Sequence, residues 1–120
     1  MATILVVDDS STMRRHLTAI LVRAGHSVVD ARDGVEGLER IAGQPLHAAV
    51  VDLHMPRLGG LDMIAAVRAG THQPELPVVM LTAEVGPDNV ARGRALGVVH
   101  WFVKPFSPEA LVEAIASLVR

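Results

Sequence analysis

Asp8, Asp9, Asp52, Thr82 and Lys104 each stand where an apolar run ends: the acidic pair closes Ile4–Val7, Asp52 closes Ala48–Val51, Thr82 closes Val78–Leu81 and Lys104 closes Val98–Val103. Brought together, these groups have a defined chemistry. Two carboxylates about 4 Å apart repel by roughly 4 kcal/mol at an effective dielectric of about 20, so a cluster of three calls for a cation. Hard divalent ions take oxygen ligands, and Mg²⁺ in particular keeps several waters and accepts one or two carboxylates together with phosphate oxygens. Calcium-loop spacing of the EF-hand kind is absent, and His16, His26, His47, His54, His72 and His100 show no close pairing that would suit zinc. A carboxylate at a strand end beside a bound cation is a competent nucleophile toward phosphorus, and Asp52 is the candidate. Lys104 would hold a phosphoryl oxygen as a point charge and Thr82 would offer another a neutral hydrogen bond. The loose transition state of phosphoryl transfer asks chiefly for such positioning and charge stabilisation.

Something must carry these residues to one place. The apolar runs are short, rich in β-branched residues and without alternation, as strands of a parallel sheet are when helices cover both faces. Their carboxyl ends then share one edge, and in open α/β sheets ligands bind outside that edge where the strand order reverses. With a further strand at Ser27–Ala31, the expected fold class is α/β, a doubly wound parallel sheet of five strands alternating with helices. The first helix follows Ser11 as cap, with Met13, Leu17, Ile20, Leu21 and Ala24 on one face and Gly25 as its stop. Asp33-Gly34 turns the chain into a short helix near Val35–Ala42 with Leu38 and Ile41 facing inward. A loop through Pro56, Gly59 and Gly60 leads to a third helix at about Leu61–Ala69, and Gly70–Pro77 reads as a loop. The fourth helix, Pro87–Ala95, carries an internal Gly93 at a cost of about 1 kcal/mol against alanine, and is expected to be the least stable. Ser107 and Pro108 begin the last helix, on which Leu111, Ile115 and Leu118 form an apolar stripe beside Ala114.

A length of 120 residues points to one domain, residues 1–120, burying roughly two-thirds of its unfolded surface. The absence of cysteine excludes disulfides and thiolate sites, and with no basic leader before Asp8 and no long apolar run, a cytoplasmic protein without signal peptide or membrane span is expected. A formal net charge of −2 gives no general basic field for nucleic acid. No linker, internal repeat or low-complexity stretch interrupts the pattern.

Over essentially its whole length the chain resembles the receiver domain of two-component response regulators. The resemblance rests on Asp8-Asp9, Asp52 followed by Met55-Pro56 and Gly60, Thr82-Ala83, and Lys104-Pro105-Phe106. These anchors are spaced by 43, 30 and 22 residues from Asp9 to Asp52 to Thr82 to Lys104. The run Asp8–Arg15 is similar to the chemotaxis branch. A cis bond at Lys104-Pro105 is read from a proline directly after a buried strand, where it would aim the lysine side chain inward. The resemblance, and not the periodicity, implies the flavodoxin-like strand order 2-1-3-4-5. It also implies a phosphoryl switch: Asp52 accepts a phosphoryl group from a histidine kinase or a histidine phosphotransfer protein, with Mg²⁺ held by Asp9, Asp52 and the His54 backbone carbonyl, and by Asp8 through water. Thr82 then moves to the phosphoryl group and Trp101 turns inward into the vacated space. A monomer is implied, whose face of fourth helix, fifth strand and fifth helix changes its affinity for a downstream partner.

Three features depart from the family pattern. Trp101 is larger than the tyrosine or phenylalanine usual at that position, so the space for inward rotation is tighter. Gly59 replaces a commonly acidic residue. His54 and Glu84 lie two residues beyond Asp52 and Thr82, where side chains line the approach to the phosphoryl group; His54 is read as solvent-facing and offering only its carbonyl, and His100 as a plain surface residue. Two other functions compete. A phosphate-independent docking module would not need the complete acidic site, and a small-ester phosphatase would need the second carboxylate that Asp52-Leu53-His54 lacks. Neither a Walker pattern nor a dinucleotide fingerprint is present, so no bound nucleotide is expected. A receiver excised from a larger regulator would read identically, and the final helix, with Val112, Glu113 and Arg120, offers surface for a motor, a relay protein or a kinase.

Overall fold

The computed structural model describes residues 1–84 and 86–119. Its elements run β1 (Thr3–Val7), α1 (Ser11–Arg23), β2 (Ser27–Ala31), α2 (Gly34–Gly43), β3 (Ala48–Val51), α3 (Gly60–Ala69), β4 (Val78–Thr82), α4 (Pro87–Ala95), β5 (His100–Val103) and α5 (Pro108–Val119). The five strands form one parallel sheet in the order β2-β1-β3-β4-β5, which reverses between β1 and β3.

Strand residues alternate between two cores because successive side chains leave opposite faces of the sheet. Leu5, Val7, Ala49, Val51, Val78 and Met80 meet Ile41 of α2 and Leu61, Met63, Ile64 and Val67 of α3. Ile4, Val6, Ala48, Val50, Val79 and Leu81 meet Leu17 and Leu21 of α1 and Leu111 and Ile115 of α5. With both faces covered, β1, β3 and β4 are almost wholly buried, which is why their sequences are apolar without alternation.

Local signals set the ends. Ser10, and not Ser11, caps α1, its side chain accepting from the Met13 N–H at 3.2 Å; two adjacent serines offer the same chemistry, and the extended backbone at Ser10 decides between them. α2 begins one residue earlier than expected, at Gly34, because Asp33 is its cap, accepting from Glu36 N–H at 2.9 Å. Ser107 caps α5 through the Ala110 N–H at 3.2 Å. Gly25 and Gly97, at φ +97° and +87°, end α1 and α4 in the same way. In each, the glycine N–H and the next one bond back to carbonyls two and three positions inside the helix, Val22 and Leu21 in α1 and Arg94 and Gly93 in α4.

Two expectations about the last third of the sheet are corrected. The apolar run Val98–Val103 is not all strand: Val98 donates to the Gly93 carbonyl as part of the α4 stop, Val99 is 71% exposed, and β5 starts at His100. β5 is an edge strand and only half-buried, so its apolar sequence overstated its cover. Gly93, read as a weakness of α4, is a packing requirement. It is buried, and a Cβ there would lie 2.6 Å from Trp101 Cζ3. On α5, Val112 and Glu113 line a groove of about 830 Å³ with Ile20 and Arg23 of α1, whereas Arg120 lies outside the described residues. Among the described residues no helix is long and apolar enough to cross a membrane.

Candidate functional site

The five sequence candidates lie at the carboxyl edge of the sheet, at the reversal of strand order. Asp8 and Asp9 follow β1, Asp52 follows β3, Thr82 ends β4 and Lys104 follows β5. The ladder itself sets their spacing: Asp52 N–H donates to the Val7 carbonyl at 2.9 Å, and Lys104 N–H to the Thr82 carbonyl at 2.8 Å. Asp8, Asp52 and Thr82 are buried, while Asp9 is exposed at the mouth.

Asp8, Asp9 and Asp52 each offer a carboxylate oxygen within 4.8 Å of the others. The two buried carboxylates are oriented by the backbone just after them. Asp8 Oδ1 accepts from Ser10 N–H at 2.9 Å and Asp52 Oδ1 from Leu53 N–H at 2.8 Å. Their other oxygens, both Oδ2, share the Lys104 ammonium, with Nζ 3.0 Å from Asp8 and 3.6 Å from Asp52. Burial pushes the Asp52 carboxyl above the usual carboxylate range, the neighbouring Asp8 charge adds to this, and Lys104 and the Leu53 N–H offset only part of it. An anionic Asp52 is therefore under-compensated. That is the electrostatic condition a divalent cation relieves, and the all-oxygen donor set suits a hard ion.

Arg14 of α1 braces the acidic side, donating to the Asp8 backbone carbonyl at 2.6 Å and to Asp30 at 3.0 Å. The Lys104-Pro105 bond is cis. Among the described residues the Thr82 hydroxyl oxygen makes one long contact, 3.4 Å from the Glu84 N–H. Trp101 sits on β5 with its ring against Gly93 and the α2–α3 core, and its Nε1 is buried without a hydrogen-bond partner among the described residues.

Sequence reasoning missed three side-chain pairings. His54 and Glu84, both about two-thirds exposed, are joined side chain to side chain, tying the loop after β3 to the loop after β4; the solvent-facing His54 thus has a partner. Their common two-residue offset was the available signal. Arg57 forks onto the buried Asp33 at 2.7 and 3.2 Å, and no local pattern marks it. Arg68 of α3 donates to the Leu96, Pro74 and Leu76 carbonyls at 2.8, 3.0 and 2.7 Å, joining the end of α4 to the loop before β4.

A doubly wound sheet with order 2-1-3-4-5 and an acid–hydroxyl–ammonium set at its reversal defines a class of protein more narrowly than either does alone. Residues 4–116 match the model of the response regulator receiver domain, and the chain belongs to that family. It is 40% identical over 114 residues to chemotaxis protein CheY1 of Helicobacter pylori, covering 93% of this chain and 92% of that one. It is 36% identical over 118 residues to the chemotaxis protein CheY homolog of Campylobacter jejuni, covering 97% and 91%. Among solved structures, chemotaxis protein CheY4 of Vibrio cholerae superposes with a TM-score of 0.91 at 35% identity, covering 98% of both chains.

Proposed function

We propose that residues 1–120 act as one phosphorylatable receiver, a cytoplasmic signalling switch of a two-component system in the chemotaxis style. The observation that carries the proposal is the pair of buried carboxylates, Asp8 and Asp52, sharing one ammonium at 3.0 and 3.6 Å beside a third, exposed carboxylate. Asp9, Asp52 and the His54 carbonyl would hold Mg²⁺, with Asp8 acting through water. Bound there, the ion offsets the repulsion between the Asp52 carboxylate and an incoming phosphoryl group.

The chain's own residues do the rest. An Asp52 carboxylate oxygen forms a bond to phosphorus as the N–P bond of a phosphohistidine breaks, and the electron pair returns to the imidazole nitrogen, which takes up a proton. Lys104, already within 3.6 Å of Asp52, holds a phosphoryl oxygen as a point charge. Among the described residues Thr82 has only its long contact to Glu84 to give up, so its hydroxyl is available to another phosphoryl oxygen. Water later returns the carboxylate and inorganic phosphate, so the chain is a switch that turns over its own modification and not an enzyme acting on other substrates. The phosphodonor is a histidine kinase or histidine phosphotransfer protein. The output is a change of affinity for a protein partner at the α4–β5–α5 face of a monomer, with Thr82 and Trp101 as the moving parts and neither nucleic acid nor membrane as target.

The test is intact mass after incubation with acetyl phosphate and Mg²⁺, with Asp52→Asn alongside. A single phosphoryl adduct that needs Mg²⁺ and is missing from the variant supports the reading. No adduct under rapid acid quenching refutes it in favour of a phosphate-independent docking module.

A further inference from the structure

The loop from Leu53 to Gly59 joins Asp52 to α3 and carries the His54 carbonyl, a ligand on the proposed function, so on that function whatever fixes this loop fixes one side of the cation site. Its start is held locally, by the Gly60 N–H on the Leu53 carbonyl at 2.9 Å. Its far end is held from another element. Arg57 stands at φ 67°, a left-handed conformation unfavourable for a residue with a Cβ, where glycine or asparagine would be easier. The side chain accounts for an arginine there: Nε and Nη2 fork onto Oδ2 and Oδ1 of Asp33 at 2.7 and 3.2 Å. Asp33 is 3% exposed, and the same Oδ1 accepts from the Glu36 N–H as cap of α2. Next to this fork the Leu58 carbonyl accepts from the Gly34 N–H at 3.1 Å, and a Cβ on Gly34 would come within 2.5 Å of that oxygen. The loop is thus pressed onto the start of α2 and clipped there by a planar two-point pair. The left-handed backbone at Arg57 works against whatever stability the fork contributes. What the arrangement supplies is position.

We propose that the Arg57–Asp33 fork is a positioning clamp for the cation site, holding the loop that carries the His54 carbonyl in the conformation that Asp8, Asp9 and Asp52 require to bind a divalent ion. This rests on the proposed Mg²⁺-dependent receiver function. It makes Arg57 and Asp33 positioning residues, outside the set that touches the ion or the phosphoryl group. Arg57→Gly is the informative variant, because glycine removes the backbone strain along with the clamp. If only the left-handed φ mattered, glycine would serve as well as arginine.

The experiment titrates Mg²⁺ into the wild type, Arg57→Gly, Arg57→Lys and Asp33→Asn, followed by the amide NMR shifts of residues 52–60, with hydrogen exchange of the same amides measured free of metal. Arg57→Gly is expected to weaken Mg²⁺ about tenfold, at the lower end of what supporting partners of metal ligands contribute, and to speed exchange across the loop. Arg57→Lys, which keeps the charge but not the fork, should fall between. Asp33→Asn tests the clamp from its other side should Arg57→Gly fold poorly. Mg²⁺ affinity within twofold of wild type in both Arg57→Gly and Asp33→Asn overturns the clamp while leaving the receiver reading intact. If the wild type shows no saturable Mg²⁺ response, the receiver reading fails and the clamp with it.

Discussion

Replacing Gly93 by alanine sets two known effects against each other. In an open helix interior the change favours folding by about 0.5–1 kcal/mol, because alanine has less backbone freedom to lose. Here the new methyl would lie 2.6 Å from Trp101 Cζ3, 3.4 Å from Cε3 and 3.6 Å from Leu61 Cδ2. The first distance is far inside van der Waals contact, and the atom it meets belongs to a rigid indole backed by the core. Overpacking of this kind costs about 1–3 kcal/mol, so the net expectation is a protein destabilised by roughly 1 kcal/mol and a thermal midpoint lower by a few degrees. Trp101 is the sole tryptophan and there is no tyrosine, so intrinsic emission reports this ring alone. Its displacement from the notch should shift that emission to the red. Trp101→Phe removes the atoms that clash, and in that background Gly93→Ala should become stabilising by about 0.5–1 kcal/mol, the propensity gain alone. The reasoning is refuted if Gly93→Ala in the otherwise unchanged protein is more stable than the parent and its emission is unmoved. The ring would then not occupy the notch, and α4 would be uncoupled from β5.

Arg68→Ala should cost about 2–4 kcal/mol in urea denaturation, because it strips one cationic donor from three backbone carbonyls, two of them part-buried; a loss below 1 kcal/mol would show that water takes over those carbonyls. Asp52→Asn should stabilise the metal-free protein near neutral pH. The Asp52 carboxyl is raised in the folded state, so its contribution to stability is present below the ordinary carboxylate range and lost as pH rises through the raised value. The advantage of the variant should therefore shrink on acidification through that window, and a pH-independent difference would refute the assignment. Lys104→Ala should still accept phosphate at Asp52 but lose phosphate-dependent partner binding, and unchanged binding by the phosphorylated variant would remove Lys104 from the coupling.

Most of what positions the site could be read along the chain, because it depends on one repeated feature, an apolar run ending in a polar side chain. A parallel sheet turns that feature into proximity whichever way its strands are ordered, since all their carboxyl ends share an edge. The order itself came only from the family resemblance, as crossover geometry leaves no periodic trace in Ile4–Val7 or Ala48–Val51. What stayed hidden has a common cause. The start of β5 was misplaced because Val98 and Val99 are apolar for different reasons, one buried in the stop of α4 and the other simply exposed. Gly93 looked like a defect because its compensation, Trp101, sits on a different element. The Arg57–Asp33, Arg68–Leu96 and His54–Glu84 connections join residues 24, 28 and 30 positions apart on different elements or loops, a range in which periodicity carries no information.

The charges at the sheet edge explain how one site can hold two states. The three clustered carboxylates carry two more charges than the Lys104 ammonium shared by Asp8 and Asp52, which is the charge of one divalent ion; burial first and the Asp8 charge second raise the Asp52 carboxyl. Lys104 divides its ammonium unequally, 3.0 Å from Asp8 and 3.6 Å from Asp52. On the proposed function, phosphorylation adds oxygens and charge on the Asp52 side alone, which tilts that division toward Asp52. The ammonium is anchored on the residue just after β5, whose N–H is bonded to the Thr82 carbonyl at the end of β4. Three residues back along β5 stands Trp101, seated in the notch of α4. On the same function, a local change in where one cation is best satisfied would pass through two adjacent strands to the helix with a glycine at its buried contact. On the proposed function, the two states of the switch would be two ways of sharing one lysine between two carboxylates, with no large rearrangement of the sheet.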